Sequence, residues 1–147
     1  MAVKPIPEKY HTVTPYLTVH GVAKLLEFVK RAFDATEIER VSGPGGAIHH
    51  AEVRIGDSVV MMGEAREPRK PKPTLLYLYV QDVDATYNRA LEAGAACVVE
   101  VTNQFYGDRS GAVQDPCGNE WWIATHVEDV TQEEMARRAK EAYSKEK

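Results

Sequence analysis

The chain is poor in cysteine, lacks long apolar runs and carries no excess of positive charge. Its 147 residues include two cysteines, and the formal net charge is −4. Cys97 and Cys117, without a short spacing, predict reduced thiols in a cytoplasmic protein, although sequence leaves a single disulfide open. No apolar run reaches the roughly 18 residues of a membrane span. We therefore expect neither a membrane nor, given the charge, a nucleic acid as partner.

An internal repeat at a spacing of 61 positions dominates the sequence. Tyr16-Leu17-Thr18-Val19 corresponds to Tyr77-Leu78-Tyr79-Val80, and no gap is needed in the alignment. A repeated unit of this length is a supersecondary module that buries its apolar face only against a second copy. We expect one domain over residues 1–147. Its parts are module one at about 12–63, a linker at 64–73, module two at about 74–126 and a helix at about 131–145.

Each repeat predicts the element order βαβββ. Period-two alternation and turn signals indicate strands, and an apolar stripe at helical spacing indicates a helix. The predicted strands are 12–19, 36–41, 47–55, 58–63, 75–80, 97–102, 111–114 and 120–125, and the predicted helices are 22–34 and 83–93. Thr131 and Glu134 form a capping box before the last helix. The predicted fold class is α+β, with two tandem βαβββ modules forming a curled mixed sheet around a cleft.

The tandem modules and the segment Asp115-Pro116-Cys117-Gly118-Asn119, just before the last strand, resemble the vicinal oxygen chelate superfamily. This group includes glyoxalase I, bleomycin-resistance proteins and extradiol dioxygenases. The stretch from His49 to Ser58 and the closing stretch from Asp115 to His126 are similar to the PhnB-like branch. The resemblance covers about residues 12–126. It implies a cleft for a small molecule and a symmetric homodimer.

In metal-using members of that superfamily, each module offers two ligands to one cation. The corresponding positions here are Thr14, Met61, Leu75 and Trp122. A divalent cation needs nitrogen or oxygen lone pairs, which leucine and tryptophan lack, while methionine is soft and threonine a poor ligand. We therefore expect no metal at these positions and no other cofactor.

Strand alternation predicts which side chains face the cleft. The predicted ligand-binding residues on the strands are Tyr16, Arg54, Met61, Tyr77, Tyr79 and Trp122. Phe105 and Tyr106 are added from the loop before the seventh predicted strand, 111–114. The aromatic side chains either stack on a flat ligand or fill the cleft themselves. Phe105 and Tyr106 form either a lid or a simple anchor for their loop.

His50 and Glu52 are the candidate catalytic pair, as a general base with its partner or as metal ligands. An ion pair between Glu52 and Arg54 on the same face is the simpler account. His49, on the other face, is predicted to be a packed core residue. The basic residues of the linker either bind an anion or are simply exposed to solvent, and solvent exposure is the simpler interpretation. These residues are Arg66, Arg69, Lys70 and Lys72.

Two functions follow from these features. One is a metal-free protein that sequesters an aromatic or amphipathic compound. The other is a glyoxalase-like lyase or isomerase that acts on a small oxygenated substrate with a non-standard metal site or none.

Overall fold

A computed structural model describes residues 2–146 and contains eight strands and three α-helices within that range. In chain order the elements are β1 (Tyr16–Val19), α1 (Val22–Phe33), β2 (Thr36–Ser42), a 3-10 turn (Pro44–Gly46), β3 (Ile48–Ile55), β4 (Ser58–Glu64), β5 (Leu75–Tyr79), α2 (Val83–Glu92), β6 (Ala96–Asn103), β7 (Asp108–Gln114), β8 (Glu120–His126) and α3 (Gln132–Tyr143). The two βαβββ modules and the C-terminal helix are therefore confirmed.

The strands form two separate four-stranded sheets, one per module, ordered β1-β4-β3-β2 and β5-β8-β7-β6. In each sheet the first strand runs parallel to the last, and the other pairs are antiparallel. The sheets are mixed, as predicted, but they do not join into one continuous sheet.

One apolar core lies between the two sheets. Helix α1 packs on β3 and β4, helix α2 packs on the second sheet, and the two helices pack on each other. Phe33 at the end of α1 contacts Trp121 of β8, with ring centroids 4.9 Å apart. Leu17, Met62 and Ile123 are fully buried in the same cluster. The helix-facing sides of both sheets therefore share one core, and the opposite sides point away from it.

The first strand is shorter than predicted, because β1 begins at Tyr16 rather than at residue 12. Proline at position 15 has no N–H to donate to a ladder, and Val13 is 81% exposed. The alternation at 12–15 therefore lacks a core to pack against. Thr14 precedes the strand, and its hydroxyl donates to the carbonyl of His11 at 3.2 Å.

The expectation of a gap-free repeat is also wrong. Met61 and Trp122 keep the spacing of 61, because they pair with Tyr16 and Tyr77 respectively. In contrast, Glu52 pairs with Met61, whereas Trp122 pairs with Ala112, only 60 positions after Glu52. One residue is lost where α2 ends, and it is regained in the longer turn between β7 and β8. Corresponding residues of the two modules are therefore 61 positions apart in the first and last strands, but 60 positions apart in β3 and β7.

Candidate functional site

Each sheet has an open face, defined as the side away from the helices. Alternation along β1 illustrates the difference, since Leu17 is fully buried whereas Tyr16 is 44% exposed. The open face of module one carries Tyr16, Thr18, His50, Glu52, Arg54, Met61 and Gly63. The open face of module two carries Leu75, Tyr77, Tyr79, Asp108, Ser110, Ala112, Trp122, Ala124 and His126. The predicted facing residues are therefore found, but one chain places them on two faces rather than in a single cleft.

A buried carboxylate organises the open face of module one. Glu52 is only 7% exposed, and the hydroxyl of Tyr10 donates to one of its oxygens. His50 Nε2 lies 2.8 Å from the other oxygen. The Tyr16 hydroxyl lies 3.3 Å from His50 Nδ1. Tyr10, Glu52, His50 and Tyr16 thus form a continuous polar chain across the face.

The protonation states in this chain follow from the contacts. Burial raises the pKa of Glu52, but hydrogen bonds from Tyr10 and His50 outweigh it, so the pKa lies below its usual value. The bond to Glu52 in turn raises the pKa of Tyr10 to about 12. An ionised carboxylate only accepts hydrogen bonds, so His50 Nε2–H is the donor. In the neutral imidazole, Nδ1 then keeps its lone pair and faces Tyr16.

The predicted ion pair between Glu52 and Arg54 is absent. Both oxygens of Glu52 are taken by Tyr10 and His50. Within residues 2–146, the arginines in ion pairs are Arg40, Arg109, Arg137 and Arg138. Tyr10 lies in the N-terminal segment, outside the repeat, so the pattern could not show that it would compete for the carboxylate.

His49 is also not a packed core residue. It is half-buried and lines a pocket with Tyr16 and His50. The pairing of β2 with β3 shifts between Val41 and Ser42, and this irregularity breaks strict alternation at the edge of the sheet. The ring of His49 lies over Gly43, where an added Cβ would come within 2.1 Å of Nε2.

Glycine at position 63 leaves room for the aromatic ring in this face. A Cβ there would come within 2.3 Å of the Tyr16 hydroxyl. A separate groove of about 540 Å³ runs between the N-terminal segment and the sheet, with Tyr10, Thr14, Glu52 and Met61 among its lining residues. The buried carboxylate is therefore reachable from an open groove.

A second buried carboxylate organises the open face of module two. Asp108 is 3% exposed and accepts hydrogen bonds from the hydroxyls of Tyr77 at 2.7 Å and Tyr79 at 2.9 Å. His126 Nδ1 lies 2.9 Å from its other oxygen, and His126 Nε2 lies 2.8 Å from Asp129. The sequence pattern did not reveal this cluster, because Asp108 lies between the predicted strands 97–102 and 111–114, and His126 follows the last predicted strand.

The charges in this cluster stabilise one another. Burial raises the pKa of Asp108, but hydrogen bonds from His126, Tyr77 and Tyr79 outweigh it and hold the pKa below its usual value. The hydrogen bonds to Asp108 and Asp129 raise the pKa of His126. Burial and the bond to Asp108 raise the pKa of Tyr77. Both tyrosines are therefore neutral hydroxyl donors.

Aromatic rings cover the same face. Tyr77 and Trp122 are nearly parallel, with an interplanar angle of 6° and centroids 6.3 Å apart. Tyr79 lies beside Tyr77 at 5.3 Å and is 65% exposed. Beneath them, the hydroxyl of Ser110 is fully buried and lacks a hydrogen-bond partner within residues 2–146. A flat ligand would find both ring faces and polar groups here.

The two aromatic rings in the loop before β7 contact different parts of the molecule. Phe105 packs edge-on against Tyr143 of α3 at 5.7 Å, and its carbonyl accepts a bond from Arg138. The Tyr106 phenol lies near Tyr77 and contributes to the raised pKa of that residue. Phe105 therefore anchors the C-terminal helix, while Tyr106 reaches the open face.

The residues at the metal positions of the superfamily do not fit a divalent cation. Thr14 and Met61 line the groove of module one, whereas Leu75 and Trp122 lie on module two. Among these four side chains, only the Thr14 hydroxyl offers an oxygen lone pair; leucine and tryptophan offer no ligand atom, and the Met61 sulfur is soft. Across residues 2–146, no group of three or more His, Cys, Asp or Glu side chains is placed to hold a metal ion.

The turn before β8 has a structural role. The Asp115 carboxylate accepts bonds from the backbone N–H groups of Cys117 and Asn119 and from Trp121 Nε1. Burial and the nearby Asp115 raise the pKa of the Cys117 thiol to about 11. Both cysteines are free. A raised pKa favours the thiol form of Cys117 over the more nucleophilic thiolate.

Comparison with known proteins places this architecture in a family. A family profile described as the Glyoxalase/Bleomycin resistance protein/Dioxygenase superfamily matches residues 10–123. An uncharacterized protein of Mycobacterium tuberculosis H37Rv is 37% identical over 134 residues, covering 84% of this chain and 79% of the relative. Two paired βαβββ modules with open faces define the structural class. The chain belongs to the glyoxalase/bleomycin resistance protein/dioxygenase superfamily.

Solved structures show the same fold at low identity. TioX from Micromonospora sp. ML1 superimposes with a TM-score of 0.69 at 24% identity, covering 80% of this chain and 99% of that protein. A Bacillus cereus PhnB protein, described as a putative 3-demethylubiquinone-9 3-methyltransferase, gives 0.64 at 15% identity, covering 78% and 99%. In the described part of this chain, no helix is long and apolar enough to cross a membrane.

Proposed function

We propose that this chain is a metal-free, cytoplasmic small-molecule binding protein of the PhnB-like branch, which sequesters an aromatic or amphipathic compound. The observation that carries the proposal is the aromatic open face of module two. Tyr77, Tyr79 and Trp122 are held there by a buried carboxylate and by one another. Large aromatic side chains left accessible over polar donors suit a ligand better than they suit bulk water.

A second copy of the chain completes the cleft in this proposal. The open faces of both modules expose large apolar side chains, including Tyr16, Leu75 and Tyr79. A symmetric homodimer would cover them and would enclose a ligand between the two faces. Sedimentation velocity at micromolar concentration should therefore show a dimer, and a monomer would remove this part of the proposal.

Binding of N-phenyl-1-naphthylamine, a neutral fluorescent aromatic compound, tests the aromatic face directly. Loss of a buried aromatic anchor costs about 2 kcal/mol or more of binding free energy. Trp122→Ala and Tyr79→Ala should therefore each weaken binding at least about tenfold. Tyr143→Ala is the matched control, since Tyr143 is 60% exposed but lies on α3. If Trp122→Ala and Tyr79→Ala are folded by circular dichroism and bind the compound as tightly as wild type and Tyr143→Ala do, the aromatic site is refuted.

Metal content tests the metal-free part separately. The side chains at positions 14, 61, 75 and 122 offer a poor set of donors. Purified protein should contain no stoichiometric divalent metal. A stoichiometric nickel, zinc, iron or manganese signal that disappears in Met61→Ala would show that the inference is wrong.

The alternative is a glyoxalase-like lyase or isomerase, and one observation favours it. Glu52 accepts from His50 Nε2–H, so the Nδ1 lone pair points to the Tyr16 hydroxyl in the pocket that both residues line. A substrate hydroxyl in the place of the Tyr16 hydroxyl would meet Nδ1 as a base. His50 and Glu52 would then act as base and orienting partner. Turnover of a small oxygenated compound that is lost in both His50→Gln and Glu52→Gln, with folding intact, would favour this alternative over sequestration.

A further inference from the structure

The linker between the modules lies along module one as a fixed strap, residues 65–72. Its start is bound to β1 by a hydrogen bond from Ala65 N–H to the carbonyl of Val19 at 2.7 Å. Its end is bound by Lys72 N–H to the carbonyl of Thr18 at 3.0 Å. The first bond continues the ladder between β1 and β4, and the second lies on the opposite edge of β1. The strap therefore passes from one edge of β1 to the other, next to the open face.

Within the strap, two arginines are forced side by side. Arg66 N–H donates to the carbonyl of Arg69 at 2.8 Å, and the two residues form an antiparallel bridge pair. Residues directly opposite in such a pair have Cβ atoms about 5 Å apart on one side of the ribbon, and like charges there repel. Neither guanidinium belongs to an ion pair within residues 2–146, where arginine pairs involve other residues. An anion between the two would remove this repulsion.

The two arginines line a pocket of about 260 Å³ against the open face. The other lining residues are Tyr16, Thr18, Val41, His49, His50, Gly63 and Glu64. The His49 ring and the Thr18 hydroxyl add neutral polar groups beside the two guanidinium groups, and guanidinium matches the paired oxygens of a carboxylate or phosphate.

Glu64 is the one acidic residue in this lining, and its charge is directed elsewhere. Its carboxylate accepts from Gly21 N–H at 2.9 Å and Val22 N–H at 3.0 Å, at the start of α1. The positive end of the helix dipole and these two donors offset the negative charge. Glu64 therefore does not neutralise the arginines.

We propose that Arg66 and Arg69, with His49 beside them, form a subsite for one acidic group, a carboxylate or phosphate, of an organic ligand. The inference rests on the proposed binding function for its ligand, and it deepens that function by naming an organic acid or phosphate ester. His50 belongs both to this pocket and to the polar chain through Glu52. An acid held by the strap would therefore place the rest of the ligand over Tyr16 and the His50 ring.

Titration of the full chain with inorganic phosphate and with benzoate, at low ionic strength, tests the subsite. Calorimetry should give a Kd of about 1 mM or lower for at least one of the two anions. Arg66→Gln/Arg69→Gln should weaken that binding about tenfold or more, because charge-assisted hydrogen bonds are lost. Lys70→Gln/Lys72→Gln removes the same charge from the same strap outside the pocket lining, so its affinity should stay within about twofold.

The outcomes separate the candidate ligands and the two proposals. Binding of benzoate alone identifies a carboxylate ligand, and binding of phosphate alone identifies a phosphate ester. No binding of either anion, or equal weakening in the two double variants, overturns the subsite. N-phenyl-1-naphthylamine carries no acidic group, so its affinity should be unchanged in Arg66→Gln/Arg69→Gln. Loss of that affinity would overturn a localised anion subsite, whereas failure of wild type to bind the neutral compound bears only on the aromatic face.

Discussion

The two modules agree on their helix-facing sides and differ on their open faces. The last strand of module one supplies Glu64, whose carboxylate caps α1 at Gly21 and Val22. The last strand of module two supplies Thr125, at the position that the spacing of 61 predicts, and its hydroxyl accepts from Val83 N–H at 2.9 Å. Different side chains thus satisfy the same unpaired N–H groups at a helix start. The two modules therefore share the position of the cap but not its chemistry.

The open faces show the opposite behaviour. Each module buries one carboxylate beside tyrosines and a histidine, but Glu52 and Asp108 occupy unrelated positions. Register places Ala112 where module one has Glu52, and Ile48 where module two has Asp108. Similar chemistry is thus built twice from different strand positions. The two faces are therefore different sites, and a ligand between them would contact two distinct surfaces.

The adjacent tryptophans of β8 give the largest expected contrast between the two sides. Trp121 is fully buried in the core, whereas Trp122 lies on the open face. Trp121→Ala should lower the free energy of unfolding by about 3–5 kcal/mol because it leaves a large cavity. Trp122→Ala should cost no more than about half of that. Urea denaturation measures both, and equal losses would break the distinction between the sides.

The two carboxylates give the next contrast. Asp108→Asn should cost about 2–3 kcal/mol of stability, because three neighbours donate to Asp108, and Glu52→Gln about 1–2 kcal/mol, because two donate to Glu52. Chemical denaturation at neutral pH tests the order. If Glu52→Gln raised the free energy of unfolding while Asp108→Asn lowered it, the buried carboxylate of module one alone would be unfavourable for stability, which would point to a role in function.

The helix caps should give smaller and matching effects. Glu64→Ala and Thr125→Ala each remove a side-chain acceptor from a helix start, which costs about 1 kcal/mol. Hydrogen exchange of the first turn of α1 and of α2 should rise in the corresponding variant only. If one of the two variants were as stable as wild type, the side-chain cap at the helix start would stabilise only one of the modules.

The pH dependence of module two should give the smallest effect. The pKa of His126 is raised by Asp108 and Asp129, so the charged histidine stabilises the folded state below the unfolded value of about 6.5. This stabilisation is lost as pH rises through the folded pKa. The melting temperature of wild type minus that of His126→Gln should therefore be largest below about pH 6.5 and should fall as the pH rises above that value. A difference that stays constant or rises would contradict the assignment.

The sequence predicted the frame well because burial leaves a periodic signal. Leu17, Val53 and Trp121 stand at the predicted helix-facing positions of their strands, and the structure buries all three. The aromatic row of Tyr77, Tyr79 and Trp122 followed from the same alternation. The capping box at Thr131 is an equally local feature, and Thr131 accepts from Glu134 N–H as predicted.

The polar clusters were largely hidden because their partners come from non-periodic segments. Tyr10 lies before the repeat, and Asp108 lies just after an irregular loop. Neither position belongs to an alternating pattern, so only the folded chain brings them to Glu52 and His126 respectively. The one-residue shift between modules also concealed that His50 corresponds to Ser110, whose hydroxyl is buried without a partner within residues 2–146.

The contact between Phe33 and Trp121 has a thermodynamic consequence. It joins the apolar side chains of both modules in one cluster, so the duplicated halves should melt as a single cooperative unit rather than one after the other. Scanning calorimetry should show one transition with equal calorimetric and van't Hoff enthalpies. The open-face residues lie outside the apolar cluster. They can therefore be substituted to suit new ligands while the contact that joins the two modules stays intact.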